Sequence, residues 1–384
     1  MTKCPLILGL LMLLVSAANA QASSILTADF QSSAGVLQAI EAGGITLRTE
    51  AGQTTRIPWD QLVLWERPKP AKKGLSPFLL LGRDGRKLVG QPVNIANDKL
   101  TWSSDILGQI VIPIEQVKGI VRTGAVLPEQ TANDDLVVMN NRDQLRGIIG
   151  QADAANITLQ KDANQSTLAW KDVQSVLLAD VGASTAKPGK LRLQFVDGSV
   201  WLADSMTGSP TQVQITSGDT SLKISLDALT SIENDAGRAI WLARLKPQEA
   251  QYAPFTRFSD LPTPPFLLLD QVTLQSRVYR NVIAIKPKCV LKYRAPAVGV
   301  FRLQYACDKP GAMTEMSLTI LLGESRKVHE QKGIRSAIPG APVTVEVAEG
   351  DIVTLQVGYG ANLDVQDCLL LLDAAFVRSD PKPR

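Results

Sequence analysis

The chain has 384 residues, and its 40 basic against 37 acidic residues give a formal net charge of +3, with a single histidine. So small an excess of positive charge argues against nucleic-acid binding, which needs a concentrated basic face. A lone histidine, His329, excludes most zinc sites and makes any histidine-based triad depend on that residue.

The first 20 residues have the pattern of a secretory signal peptide. Lys3 precedes an apolar run over residues 5–15, and Ala18-Asn19-Ala20 supplies a small-residue cleavage site. The run is shorter than the roughly 20 residues that span a bilayer, and no later uncharged segment reaches that length. We therefore predict a signal peptide over residues 1–20, no membrane span, and a secreted or periplasmic location.

A motif recurs four times before residue 240, at steps of 55, 56 and 56 residues. The equivalent positions in the four copies, called the aligned positions below, are Trp59, Ile114, Trp170 and Leu226. Around each of them the apolar spacing changes from two residues to three, which predicts a strand that ends in a single helical or 3₁₀ turn. Asp60, Glu115 and Asp227 stand where this turn starts, so we expect them to cap its N–H groups.

The copies predict four β units, over residues 21–67, 75–124, 134–180 and 189–240. Asp84-Gly85 and Asp197-Gly198 predict tight hairpins inside them. Segments rich in Pro, Gly and small residues separate the units and favour small barrels on a string, whereas closure as the blades of one propeller is the alternative. The units resemble Sm-like and SH3-like small β-barrels. We expect them to serve as a scaffold or a protein-interaction array, with their tryptophans in the core.

Residues 241–265 contain five prolines, which predicts a stiff linker that pairs poorly in a sheet. The next region, 266–380, is β-rich without a repeat. Alternating apolar residues on either side of a turn at 296–299 predict a hairpin that sets Cys289 opposite Cys307. Two cysteines so placed can form a disulfide in an exported protein, or can be two small buried thiols; the pattern leaves both open.

Several segments of this region resemble the carbohydrate-binding module called NPCBM, which accompanies several glycoside hydrolases. They are Phe258-Ser259-Asp260-Leu261-Pro262, Arg277 to Asn281, Ile283 to Lys288, Leu318 to Val328 and Asp351 to Val377. The resemblance covers about residues 255 to 380. It implies a galactose-binding-like jelly-roll β-sandwich and a polysaccharide-associated role. The fold class expected for the whole chain is therefore all-β, with tandem small β-barrel-like repeats followed by a jelly-roll β-sandwich.

A sugar site needs an aromatic surface and a few planar polar groups. The loop 358–367 offers four candidates, and two basic side chains are expected on the same rim. The six candidate residues are Arg280, Lys286, Tyr359, Asn362, Asp364 and Asp367. Asn362, Asp364 and Asp367 also have a spacing that fits calcium ligation through oxygen, and no other cofactor is expected. The alternative is an ordinary polar loop.

No Gly-x-Ser-x-Gly elbow and no local motif of paired carboxylates occurs in the sequence. We therefore predict a non-catalytic exported protein that binds polysaccharide or a cell-surface glycan through the sandwich and a protein partner through the repeats. One alternative is a structural envelope protein whose sandwich docks protein. Another is a glycoside-processing enzyme with its site in the repeats.

Overall fold

The computed structural model describes residues 23–49, 51–67, 76–128, 134–179, 190–253, 264–275, 277–308, 315–359 and 368–379. Strands dominate this part of the chain, and its helices are single 3₁₀ turns, so the all-β class is confirmed. None of these turns has the length or the hydrophobicity of a membrane-spanning helix. The signal-peptide prediction lies outside the described residues.

Four units built on one plan precede residue 235. Unit 1 contains β1 (Ser23–Thr27), β2 (Ser32–Glu41), β3 (Gly44–Thr49), β4 (Thr54–Pro58) and β5 (Leu62–Glu66). Unit 2 contains β6 (Phe78–Gly82), β7 (Lys87–Ala96), β8 (Lys99–Ser104), β9 (Gly108–Pro113) and β10 (Val117–Arg122). Unit 3 contains β11 (Asp135–Met139), β12 (Gln144–Ala152), β13 (Asn156–Lys161), β14 (Asn164–Ala169) and β15 (Val173–Leu177). Unit 4 contains β16 (Leu191–Phe195), β17 (Val200–Ala203), β18 (Ser205–Gly208), β19 (Gln212–Ser217), β20 (Thr220–Ser225) and β21 (Leu229–Asn234).

Within each unit the strands are antiparallel, and the last strand returns to pair with the first. In unit 1, β1 pairs with both β2 and β5, and β3 joins β2 to β4. Unit 4 differs only in that its second strand is split into β17 and β18. The predicted turns appear as 3₁₀ helices over Ile114–Gln116, Trp170–Asp172 and Leu226–Ala228. Each one lets the chain turn from the fourth strand into the fifth.

The capping prediction is wrong where the turns are 3₁₀ helices. No side chain caps the turn that contains Glu115. In unit 4, the Ser225 hydroxyl accepts the hydrogen bond from the backbone N–H of Asp227. The Asp227 carboxylate instead accepts a hydrogen bond at 2.9 Å from Arg67 of unit 1. In unit 4 the short Ser225 side chain, one residue before the turn, reaches an N–H of the turn, while the Asp227 side chain contacts a neighbouring unit.

The units associate as two pairs through their last strands. Trp65 of unit 1 is opposite Ile232 of unit 4, and Ile120 of unit 2 is opposite Val176 of unit 3. All four residues come six positions after the aligned positions. We call the two associations pair 1·4 and pair 2·3. Because equivalent residues meet in each pair, each has a local two-fold axis.

The four units share one hydrophobic core, which contains residues from every unit. Trp65, Trp102, Trp170 and Trp201 are buried in it, as predicted, and Trp59 packs against it. The units are thus not separate barrels on a string, because they pair through their last strands and share one core. Apolar residues on the last strands of small units leave a face that a second unit must cover.

The C-terminal domain is a β-sandwich. Its strands are β22 (Ala239–Trp241), β23 (Glu249–Tyr252), β24 (Phe266–Leu274), β25 (Arg277–Ile285), β26 (Cys289–Arg294), β27 (Gly299–Cys307), β28 (Met316–Leu322), β29 (Arg326–Ile334), β30 (Val343–Val347), β31 (Ile352–Tyr359) and β32 (Leu369–Arg378), with a 3₁₀ turn over Leu242–Arg244. One sheet has the order β24-β25-β32-β27-β30, with β22 also paired to β32, and the other has the order β23-β26-β31-β28-β29. Their inner faces enclose a second core.

Two predictions for this domain are wrong. First, β22 and β23 fall inside or at the edge of the predicted linker 241–265, yet they pair with β32 and β26 of the sandwich. Pro247 and Pro254 flank β23 and do not interrupt it, which is why the strand can form. The rest of the proline-rich segment, 254–263, lies outside the described residues.

Second, the predicted hairpin between β26 and β27 does not form. Cys289 is opposite Val357 in one sheet, and Cys307 is opposite Leu369 in the other. Both cysteines are buried in the same core, and no disulfide joins them, so of the two alternatives the structure has buried thiols. Strands that face each other across a core show the same alternation as strands that pair, so the pattern could not separate the two cases.

The sandwich packs against pair 1·4. Phe30 of unit 1 makes an edge-to-face contact with Trp241, with ring centroids 6.1 Å apart. The Arg302 guanidinium lies over the Phe30 ring, 4.5 Å from its centroid. An apolar cluster of residues from both domains surrounds these side chains. The two domains therefore meet through an interface of buried apolar side chains.

Candidate functional site

Two of the sequence-predicted site residues lie at one end of the sandwich. Lys286 follows β25 directly, and its backbone N–H donates to the Pro265 carbonyl at 3.2 Å. Tyr359 is the last residue of β31, opposite Met316. Both side chains are half-buried. We call this the Tyr359 end of the sandwich. Asn362, Asp364 and Asp367 follow in sequence but lie outside the described residues, so the calcium prediction is untested.

Arg280 is not on the same rim. It lies on β25 opposite Gln271, and Lys286 comes six residues later, which at about 3.3 Å per residue places them roughly 20 Å apart. Its guanidinium points to the repeats and donates to Glu66 Oε2 and to Gln194 Oε1, each at 2.9 Å. The expectation of one rim is wrong because Arg280 is held at the contact between the domains.

A cleft of about 740 Å³ opens on the outer face of the five-stranded sheet, near the Tyr359 end. We call it the sheet cleft. Gln251, Val290, Gln356 and Thr319 lie side by side across four neighbouring strands. Their side chains point outward, since the alternate residues of these strands are buried in the core. In this row, the Gln251 amide lies on one side of Val290, and the Gln356 amide and the Thr319 hydroxyl lie on the other side.

Gly358 forms the floor of the cleft beside this row. It is opposite Ser317 on β28, and a Cβ at this position would lie 2.6 Å from the Ser317 hydroxyl. A side chain here would therefore force Ser317 to move and would fill the depression. The glycine leaves space for a ligand to approach the backbone and the hydroxyl.

The charge of the sheet cleft is small. Among the described residues that line the cleft, Lys288 is the one basic side chain, and none is a carboxylate. Lys288 itself adopts a left-handed backbone conformation with φ 61°, at the turn that leads into β26. Uncharged hydrogen-bonding groups therefore dominate the cleft. This composition fits a ligand rich in hydroxyl groups better than a charged one.

Tyr252 also lines the cleft, but its ring packs against the sandwich core, because it lies opposite the buried Cys289 of β26. Burial raises the pKa of its phenol, and the nearby Tyr359 adds to this effect. The sequence analysis missed Gln251 and Tyr252 because it assigned them to the linker. The alternation Glu249-Ala250-Gln251-Tyr252 between two prolines was the signal that could have revealed a strand.

The other reactive groups of the sandwich are in structural positions. His329 is hydrogen-bonded to the Tyr305 hydroxyl at 3.2 Å, and burial lowers the pKa of its imidazole. Burial raises the pKa of the Cys289 thiol to about 12, so this thiol is a poor nucleophile. Within the described residues, no group of three His, Cys, Asp or Glu side chains is arranged to hold a metal ion.

No protein-family model matches the sequence, and no curated protein matches it. Several similar solved structures contain carbohydrate-binding modules, and others are enzymes. One is CBM51 from Clostridium perfringens GH95 in complex with methyl-galactose, at 16% identity and a TM-score of 0.30, covering 36% of this chain and 99% of that one. Another contains the CBM51-2 and INT domains of Clostridium perfringens ZmpB, at 15% identity and a TM-score of 0.28, covering 49% of this chain and 40% of that one.

A third contains the tandem CBM51 modules of Sp3GH98, the family 98 glycoside hydrolase from Streptococcus pneumoniae SP3-BS71. It is 11% identical with a TM-score of 0.28, and covers 93% of this chain and 88% of that one. These values do not place the chain in a family. The resemblances to NPCBM and to Sm-like or SH3-like barrels stay predictions, and the argument for function depends on the residues of the sheet cleft.

Proposed function

We propose that this protein is a non-catalytic carbohydrate-binding protein, and that its ligand lies in the sheet cleft. The row formed by Gln251, Val290, Gln356 and Thr319 is the observation that carries the proposal. An amide side chain both donates and accepts hydrogen bonds, and a hydroxyl does the same. Neighbouring hydroxyls of a sugar ring need this combination, which a charged side chain alone does not provide.

The size of the cleft supports the same ligand class. Its volume of about 740 Å³ is within the usual range of roughly 300–1,000 Å³ for sites that bind small molecules. Glycoside hydrolysis would need two acids about 5–10 Å apart, and the described lining residues include none. Binding without hydrolysis is therefore the activity that this lining favours.

The remaining parts of the proposal concern the setting of the site. An exported location would bring the cleft to extracellular or cell-surface polysaccharide. The repeats would act as the scaffold that carries the sandwich and as the surface for a protein partner. Calcium bound by Asn362, Asp364 and Asp367 is the cofactor part of this proposal.

Affinity electrophoresis of the full-length mature chain tests the proposal. The gels contain neutral polysaccharides (galactan, β-glucan or xylan) or an acidic one (alginate), with calcium or with a chelator. We expect at least one neutral polysaccharide to retard the protein. Gln356→Ala should weaken this binding about tenfold, the loss of roughly 1.4 kcal/mol from one amide.

Gln109→Ala is the matched control, since it removes an exposed glutamine from β9 of unit 2, far along the chain from the cleft. It should leave the retardation unchanged. Failure of every neutral polysaccharide to retard the protein, or retardation that Gln356→Ala does not weaken, would overturn the proposal. A chelator that abolishes retardation would support the calcium site.

A further inference from the structure

A second cleft, of about 690 Å³, lies between pair 1·4 and the sandwich. We call it the interdomain cleft. One side is formed by residues of β1, β5 and β16, and the other by residues of β24, β25 and β32. Clefts between domains are common ligand sites because two surfaces can enclose a ligand that neither encloses alone.

A chain of hydrogen bonds crosses this cleft. The Ser24 hydroxyl donates to Glu66 Oε1 at 3.3 Å, and Arg280 donates to Glu66 Oε2 at 2.9 Å. The second arm of Arg280 donates to Gln194 Oε1 at 2.9 Å. Groups from unit 1, unit 4 and the sandwich are thereby held in fixed relative positions. These hydrogen-bonded groups are preorganised, so a ligand that forms hydrogen bonds with them does not bear the entropic cost of ordering them.

A second ion pair lies deeper in the sandwich wall. Arg277 donates to Asp373 Oδ2 at 2.6 Å, and its guanidinium lies 4.6 Å from the Tyr279 ring centroid. The Asp373 side chain is buried, whereas that of Arg277 is partly open to the cleft. Stacking on the ring and pairing with the acid fix the plane of this guanidinium, so its remaining N–H groups have a defined direction.

The charges of the cleft wall are balanced. Each of the three arginines that line it has an acid at ion-pair distance. The pairs are Arg67 with Asp227, Arg277 with Asp373, and Arg280 with Glu66. A charged ligand would have to break or compete with such a pair, which leaves one partner without its counter-ion. An uncharged ligand faces no such cost.

The wall still has hydrogen-bonding capacity next to apolar surface. Arg67 has a buried Nε–H that finds no acceptor within the described part of the chain. Each arginine–carboxylate pair offers a donor and an acceptor side by side, which matches two neighbouring hydroxyls. Leu26, Phe195 and Trp241 supply apolar lining. Apolar walls with a few fixed polar groups are typical of sites for small polar ligands.

We propose that the interdomain cleft is a second binding site, for an uncharged, hydroxyl-rich ligand of sugar size. The ligand bridges pair 1·4 and the sandwich through the Glu66–Arg280 and Arg277–Asp373 pairs. The residues of this site differ from those of the sheet cleft, so each of the two proposals can be confirmed or rejected without the other.

Hydrogen exchange of the full-length chain locates the ligand. The probes are the neutral trisaccharides maltotriose, cellotriose and galactotriose, with trigalacturonate as the charged counterpart. We expect at least one neutral probe, at about ten times its Kd, to slow exchange in Ser23–Thr27 and Leu62–Glu66 by about tenfold. Trigalacturonate should have no such effect.

Val278→Trp adds bulk to the cleft and removes no member of its ion pairs, because Val278 lines the cleft and is 37% exposed. It should abolish the protection of both strands. The matched control is Val111→Trp on β9, where the valine is 53% exposed and outside the cleft. It should leave the protection intact.

Three results would overturn this proposal. They are no protection of these strands by any neutral probe, equal protection by trigalacturonate, and protection that persists in Val278→Trp. Protection confined to β28 and β31 would support the sheet cleft and reject the interdomain site. Protection confined to β1 and β5 would support the interdomain site.

Discussion

Pair 1·4 and pair 2·3 are each held together by their paired last strands, and this paired region is called the seam of the pair. The two seams use equivalent residues but differ on their outer faces. Seven residues after the aligned positions, pair 1·4 has Glu66 and Glu233, whereas pair 2·3 has Val121 and Leu177. Glu66 accepts a hydrogen bond from Arg280 of the sandwich, and Glu233 accepts one from Asn281 at 3.4 Å. In pair 2·3 the equivalent residues are 3% and 1% exposed.

The two faces are covered by different parts of the chain. The seam of pair 2·3 is covered in part by Leu127. This side chain lies so close to Gly119 that a Cβ added to the glycine would be 2.9 Å from Leu127 Cδ1. The seam of pair 1·4 is covered by the sandwich. The repeated residues thus encode how two units pair, and the residues that break the repeat encode what each pair packs against.

The largest expected effect comes from giving pair 2·3 the acid of pair 1·4. Val121→Glu places a carboxylate at a buried position opposite Leu79 and Ser175, which should cost about 3–5 kcal/mol of the free energy of unfolding. Urea unfolding followed by tryptophan fluorescence measures this change. Val111→Glu, at an exposed valine of the same unit, should cost less than about 0.5 kcal/mol. A similar loss in both variants would contradict the proposed sealing of the seam.

A smaller and equal effect is expected at two equivalent arginines, eight residues after the aligned positions. Arg67 donates to the Leu226 carbonyl at 2.6 Å, and Arg122 donates to the Trp170 carbonyl at 2.9 Å. Both acceptors are at aligned positions of the partner unit. Arg67→Ala and Arg122→Ala should each cost about 1.5–3 kcal/mol, because each leaves part-buried carbonyls without a charged donor.

The same unfolding measurement compares these two arginine variants. If the cost of Arg67→Ala exceeds that of Arg122→Ala by more than about 1 kcal/mol, the contact with Asp227, which Arg67 makes and Arg122 does not, dominates the contribution of Arg67.

The smallest effect is a pH dependence confined to the sandwich side of pair 1·4. Burial raises the pKa of Asp373 above its ordinary 3.8, although Arg277 and Arg302 oppose the shift. The folded state therefore holds this proton more tightly than the unfolded state, and stability is lost as the pH rises through the raised pKa. The free energy of unfolding of the wild type, relative to Asp373→Asn, should fall between pH 4 and pH 7.

Unfolding in urea across this pH range gives the difference directly. Asp219→Asn, at an exposed aspartate of unit 4, is the control, and its difference from the wild type should stay flat. A difference for Asp373→Asn that rises with pH would show that pairing with the arginines outweighs burial.

Much of the repeat region was predictable because its signals are local. The change of apolar spacing around Trp59, Ile114, Trp170 and Leu226 predicted the strand-to-turn corner, and Asp-Gly pairs predicted hairpins that the structure has, with Gly85 and Gly198 at positive φ. The buried tryptophans followed from the same periodicity. The pairing of unit 1 with unit 4 did not, since nothing in a repeat states which copy its last strand meets.

The candidate site was predictable only in part. Lys286 and Tyr359 do lie at one end of the sandwich, but Arg280 belongs to the contact with the repeats. Gln251 and Gln356 were overlooked because an outward-facing polar residue on a strand has the same sequence signal as any solvated one. They form a row only through the register of separate strands.

The sequence by itself determined the all-β class, the four repeated units, the buried tryptophans and the existence of a distinct C-terminal region, because these depend on periods of two or three residues and on the period of the repeat. Only the tertiary structure decided which units pair, which sheet β26 and β27 join, and which polar side chains meet in the two clefts. Those outcomes depend on contacts between residues far apart in the chain, where alternation specifies a buried face without specifying its partner.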